Sequence, residues 1–201
     1  IVGLQELDAG SLRSNNINLT QYLSEKADMP FWSDQTNRRI GRFARHSTGL
    51  LSRFHPHEIV EHRLPGRIPG RGALFIRSGS KHDSLVVLIL HMALGRRARM
   101  RQFDYISDIV NEYRHVIVMG DLNCHSQSAE MDYLIDRTMM SEPMHGMCTF
   151  PSWRPYRNLD HIQVTPTLQV DHVRALNFSL SDHLPVEMHI TLPESVHLGN
   201  G

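Results

Sequence analysis

The hydrophobic positions of the chain fall into two periods. Ser84 to Met92 is a nearly continuous apolar run rich in Val and Ile, which reads as a strand buried on both faces. Val116 to Met119 repeats that signal and runs into a polar loop. Shorter strand-like runs are Ile1 to Leu4, ending at Gln5 and Glu6, then Thr48 to Phe54 and Glu58 to Leu64, parted by His55 and Pro56. Gly72 to Arg77, Leu159 to Thr165, Val170 to Ser179 and Leu184 to Thr191 complete the strands. Helical spacing predicts helices over Asn18 to Met29, Arg96 to Tyr113 and Ala129 to Met139; in the second, Phe103, Ile106, Ile109 and Val110 share a face. Strands with helices inserted between them predict an α/β (α+β) fold of two sheets packed face to face and covered by helices.

Composition adds limits. The 201 residues, 40% hydrophobic and 21% charged, suit one globular domain and exclude a disordered chain. No apolar run approaches the ~18 residues that cross a bilayer. Two cysteines, Cys124 and Cys148, build no disulfide framework; reduced thiols lead us to expect a cytoplasmic protein. The zero net charge hides an asymmetry. Residues 1–100 carry 15 Lys and Arg against 8 Asp and Glu, residues 101–201 carry 6 against 13, and 19 of the 21 cations are arginine. Arginine grips phosphate in a bidentate fork. The two halves suit a site holding an anion on one side and a cation on the other, or two solvated faces.

Polar groups stand at the ends of these strands: Glu6, His91, Asp121, Asn123, Asp160, and Asp182 with His183. Catalytic groups are often held on loops by a rigid scaffold. Any one of them alone also fits an ordinary turn, but six such places in one chain are harder to dismiss.

In order, the motifs read Ile1-Val-Gly-Leu-Gln-Glu6, Gly49-Leu-Leu-Ser-Arg53, Leu90-His-Met-Ala-Leu94, Gly120-Asp-Leu-Asn123, Thr149-Phe-Pro-Ser152, Leu159-Asp-His-Ile162 and Ser181-Asp-His-Leu-Pro185. This series resembles the endonuclease/exonuclease/phosphatase superfamily, which includes deoxyribonuclease I, and within it the small bacterial members. The resemblance implies a four-layered α/β/β/α sandwich of two mixed sheets over residues 1–192, with 193–201 as a tail, and magnesium-dependent (or manganese-dependent) hydrolysis of phosphate esters. It implies Glu6 as the principal metal ligand, with Asp182 completing the metal environment directly or through water. Asp121 and Asn123 would position the attacking water and a phosphate oxygen. His183 would be the general base or the donor to the charged transition state, its tautomer fixed by Asp160. His91 would be a candidate acid for the leaving oxygen.

The remaining residues read more plainly. His161 and His172 are strand histidines without a role, Asp8 is a loop acid, and Cys124 packs beneath the site. Met139, Met140, Met144 and Met147 fill gaps in the core. The segment Leu64-Pro-Gly-Arg-Ile-Pro-Gly-Arg-Gly72 lets a backbone approach an anion closely, so Arg67 or Arg71 is expected to bind substrate at the mouth. Arg96, Arg97, Arg99 and Arg101 open a helix, where cations oppose the macrodipole; an anion or an acidic neighbour would explain them.

The expected function is a metal-dependent phosphoester hydrolase acting by attack of water on phosphorus: a phosphodiesterase, a phosphatase or a nuclease. The alternative is a binding or scaffold protein that keeps the fold without turnover. Zero net charge and no lysine-rich stretch weigh against long duplex DNA as substrate and leave a small phosphate ester, a lipid headgroup or another nucleic acid. The resemblance also implies an N-terminal strand and a helix ahead of the Leu-Gln-Glu strand. Ile1 already lies inside that second strand, so we expect an upstream extension, or another segment, in that place.

Overall fold

The computed structural model describes residues 1–66, 69–80 and 83–199. Its elements run β1 (Val2–Asp8), a turn of 3-10 helix (Leu12–Ser14), α1 (Leu19–Lys26), β2 (Phe31–Ile40), β3 (Ala44–Ser52), β4 (Glu58–Arg63), β5 (Gly72–Gly79) and β6 (Ser84–His91). There follow α2 (Arg96–Val110), β7 (His115–Asp121), α3 (Ala129–Thr138), β8 (Asp160–Val164), β9 (Gln169–Ala175) and β10 (Val186–Thr191).

The first sheet has five strands in the order β4-β5-β6-β7-β8. Only β6 and β7 are parallel; the other pairs are antiparallel. The apolar run of β6 explains its central place, since all eight residues are buried. Val86, Leu88 and Leu90 pack with Phe103, Ile106 and Val110 of α2 and Met131 and Leu134 of α3. Leu85, Val87 and Ile89 point the other way, into a second core with Leu50 of β3 and Met188 and Ile190 of β10. Alternation along the strand thus feeds two cores, and the layers are α2 and α3, the five-stranded sheet, a second strand layer, and α1 packed on that layer. This is the expected α/β/β/α sandwich.

The second layer is divided into a three-stranded sheet, β1-β3-β2, and a hairpin, β10-β9. Among the described residues, β1 and β10 each pair on one side only. A largely apolar cavity of about 540 Å³ separates Ile1 to Gly3 from Val186 to Ile190, floored by Val87, Ile117 and Met119.

Three sequence readings change. No element was expected over Phe31 to Ile40, which forms β2; only Gln35 is buried there, so no apolar period marks it. The arginines around Gly41 therefore belong to the tip of the β2–β3 hairpin. Asp8 is a buried anchor at the end of β1, accepting hydrogen bonds from Ser11 Oγ at 2.7 Å and Ser14 Oγ at 3.0 Å. Of the four methionines, Met140 and Met144 are core residues, whereas Met139 caps α3 and is exposed.

Gly120 fixes where β7 meets the site. Its φ is +136°, and a Cβ there would lie 2.0 Å from the Leu90 carbonyl oxygen. Gly95, at the start of α2, has open space around it. Gly120→Ala should therefore lose about 3 kcal/mol or more of stability, through left-handed strain plus a backbone clash. Gly95→Ala, at the N-cap of α2, should cost only about 0.5–1 kcal/mol. Urea melts of both variants check this contrast.

Candidate active site

The register of the five-stranded sheet builds the site. Across neighbouring strands, Gly72 of β5 pairs with His91 of β6, His91 with Asp121 of β7, and Asp121 with Asp160 of β8. Strand-end residues far apart in sequence thus form one row on one edge of the sheet. The row is close-packed: His91 Nε2 lies 3.8 Å from Asp121 Oδ2 and 3.8 Å from Glu6 Oε1.

His183 reaches the row from the loop before β10. Its Nδ1 donates to Asp160 Oδ2 at 2.7 Å, and Thr149 Oγ1 donates to the same oxygen at 2.5 Å. The Phe150 ring stands 4.8 Å from the His183 ring, centroid to centroid. The Thr149-Phe-Pro-Ser segment is tied to the His183 loop by Ser152 N to Asp182 O at 2.8 Å and Leu184 N to Thr149 O at 2.9 Å. Thr149 and Phe150 are site residues that motif reading left without a role.

The loop after β7 is equally fixed. Asp121 Oδ1 accepts from Asn123 N at 2.9 Å, and Asn123 Nδ2 donates to Met92 O at 2.9 Å. The next turn, Met92 to Leu94, is pinned from α2. Gln102 accepts from Ala93 N at 2.9 Å, and Arg99 bonds the carbonyls of Ala93 and Leu94. Arg99 also meets Glu130 of α3 at 2.7 Å, the acidic neighbour expected for the arginines that open this helix. His161, read as a strand histidine without a role, is buried between Glu142 at 2.6 Å and the Cys124 carbonyl at 2.8 Å. It so braces the same loop from beneath. Cys124 is buried as expected, its thiol pushed up to about 11 by burial.

Glu6 is exposed, with a left-handed φ of +57° inside a bulge of β1. Arg71 donates to His91 Nε2 and so reaches the row; Arg67 lies outside the described residues. Asp182 is exposed beside His183. The structure thus joins His91, Asp121, Asp160, His183, Glu6 and Arg71 in one cluster, with Asn123 fixing its loop and Asp182 at its rim.

Electrostatics separate the titrating groups. Burial and the nearby Asp160 charge push Asp121 up to about 6, against the Asn123 N–H, His183 and Arg71. Burial, then Arg71 and His183, push His91 down to about 4. The hydrogen bond to Asp160 raises His183 against the opposing effect of burial. Near neutral pH the cluster therefore holds a neutral His91 between charged groups, with His183 biased toward imidazolium.

The oxygen donors Glu6, Asp121 and Asp182 are hard ligands. Among the described residues no three or more His, Cys, Asp or Glu side chains converge as a metal cage. A donor set of this kind suits magnesium, which is commonly held through one or two carboxylates and keeps several of its waters.

The model of the endonuclease/exonuclease/phosphatase family matches residues 1–183. No curated protein matches the chain significantly. Solved structures share the fold. An endonuclease/exonuclease/phosphatase from Beutenbergia cavernae is 19% identical with a TM-score of 0.76, over 95% of this chain and 62% of that one. The Bacteroides thetaiotaomicron mannosyl-6-phosphatase is 17% identical with a TM-score of 0.72, over 94% of this chain and 84% of that one. TDP2 from D. rerio, solved with a single-strand DNA product, is 17% identical with a TM-score of 0.72, over 94% and 85%. The chain spans 62% of the length of the Beutenbergia protein.

The raised Asp121 value has a stability consequence. A carboxyl whose folded pKa lies above its unfolded value stabilises the fold below the unfolded value, and that contribution is lost as pH rises through the folded one. Asp121→Asn should therefore melt higher than wild type at pH 8, by roughly 2–4 °C or more. The gap should close below about pH 4. Melting curves of the two metal-free proteins against pH measure it.

Proposed function

Because the chain belongs to the endonuclease/exonuclease/phosphatase family, whose enzymes hydrolyse phosphoesters, we propose that it is a divalent-metal-dependent phosphatase or phosphodiesterase. The observation that carries this reading is the Asp160–His183 pair, 2.7 Å apart, set in line with Asp121 and His91 across three adjacent strands.

Glu6 would hold the metal, magnesium or manganese, with Asp182 completing its environment directly or through water. When bound, that ion neutralises charge on the phosphate and on the leaving oxygen. Asp121, with a value near 6, is ionised at neutral pH and still basic enough to take a proton from the attacking water, the match general base catalysis favours. Asn123 holds the loop on which that carboxylate sits and offers its amide to a phosphate oxygen. His183, favoured as imidazolium by its Nδ1–H bond to Asp160, presents Nε2–H to the phosphate oxygen on which charge accumulates. The water oxygen bonds to phosphorus as the ester P–O bond breaks, and the leaving oxygen takes its proton from solvent. In the free protein His91 is neutral above about pH 4, so we assign it to orienting Arg71 toward the phosphate instead of protonating the leaving oxygen. Arg71 binds the substrate anion; Arg67, expected beside it from the sequence, lies outside the described residues.

The test is a panel of phosphomonoesters, bis-p-nitrophenyl phosphate, DNA and RNA, each with magnesium and with manganese. The wild type should turn over at least one of them only with metal. His183→Ala should lower turnover roughly 10²–10⁴-fold with little change in melting temperature, and Asp160→Asn should be comparably damaging through loss of the carboxylate that favours the protonated His183. Metal-independent turnover, no turnover on any substrate, or full activity in His183→Ala would contradict the proposal and favour a binding protein that keeps the fold.

A further inference from the structure

Beside the row of catalytic groups a second cavity of about 230 Å³ opens between the β2–β3 hairpin and the loop before β5. That is room for roughly seven waters at their liquid volume, enough for a phosphate group and part of what carries it. Glu6, Arg71 and His91 line its inner end, and Arg38, His46 and Gly70 its outer end. Among the described residues Glu6 is its one acidic side chain.

Two backbone features aim side chains into this space. On β1, Leu4 pairs with Gly49 and Leu7 with Ser47, so Gln5 and Glu6 together face Thr48. On β2, Thr36 pairs with Ser47 and Arg38 with His46, so Asn37 is the extra residue. Both bulges thus stand at the same level of β3, one on each side, and bulges re-aim the side chains near them. Asn37 Nδ2 donates to Thr48 Oγ1 at 3.0 Å and fixes the second bulge. Gly70, with φ +105°, lets its loop close on Arg38: a Cβ there would meet the Arg38 Cβ at 3.3 Å.

The charges in this cavity are unbalanced. Arg13, Arg77, Arg96, Arg99, Arg137 and Arg174 each face a carboxylate within 4 Å. Arg38 and Arg71 make no such pair among the described residues; Arg71 lies in the field of Asp121 and Glu6 and, more weakly, of Arg38. Glu6 and Asp121 offset the charge of Arg71, which leaves Arg38, with His46 beside it in the cavity lining, as the cation that a further anion would meet.

We infer that this cavity is a second anion subsite: the substrate carries, besides the phosphate that is cleaved, another phosphate-like group bound by Arg38 with His46. This rests on the proposed hydrolase reading for the place of the cleaved phosphate, but the subsite is testable by binding alone. The probes are glucose 6-phosphate and glucose 1,6-bisphosphate, titrated calorimetrically into the metal-free protein and then assayed with magnesium. Wild type should bind the bisphosphate about tenfold more tightly or better, the scale of one added charge-assisted contact. Arg38→Gln should bring that preference to parity, while Arg39→Gln, its neighbour in sequence but outside the cavity, should keep it. Equal binding of the two probes by wild type, or a preference that survives Arg38→Gln, would overturn the subsite. A binding preference without hydrolysis of either sugar phosphate supports the subsite; the hydrolase reading falls only if the whole substrate panel above also fails to turn over.

Discussion

The whole site hangs on the register of one sheet. Because β6 is buried on both faces, a slip of one residue against β5 or β7 would turn every side chain of one core into the other. The two cores forbid that slip: Val86, Leu88 and Leu90 fit only against α2 and α3, and Leu85, Val87 and Ile89 only against the second strand layer. Holding that register places His91, Asp121 and Asp160 side by side. The apolar core is thus what positions three polar groups that would otherwise avoid one another.

That positioning has an electrostatic cost which the surroundings only partly offset. Asp121 is buried and stands on the strand next to Asp160, and burial first, then repulsion from Asp160, raise its value. His183 and Arg71 relieve part of it. A divalent cation beside Glu6 would relieve more, which links this cost to the chemistry proposed for the cluster. Positive charge enters from the first half of the chain, through Arg71 and Arg38, and carboxylates from the second, through Asp121 and Asp160. The charge asymmetry of the sequence is therefore spatial at this site.

Much of this was legible in the residues. The long apolar run over Ser84 to Met92 announced the central strand, and the strand-end polar groups with their motifs announced the row. What escaped was what depends on pairing. β2 is an edge strand with polar residues on most of its length, so its existence rests on hydrogen bonds to β3 and not on an apolar period. Arg38 and His46 face a common cavity only because two bulges fall at one level of β3, which no spacing in the sequence encodes. Asp8 and His161 looked idle because their partners, Ser11 and Ser14 for one and Glu142 and the Cys124 carbonyl for the other, are set by loops.

The central claim is that Asp121 and His183 act as base and donor in one metal-supported step. The most direct measurement is the pH dependence of kcat/KM for magnesium-supported hydrolysis of bis-p-nitrophenyl phosphate. The account predicts a bell: a rising limb below about pH 6, the metal-free value of Asp121, because the cation favours its ionised form, and a falling limb above the ordinary histidine range as His183 loses its proton, the latter absent in His183→Gln. Undiminished activity at pH 4, or a falling limb that persists in His183→Gln, would contradict it.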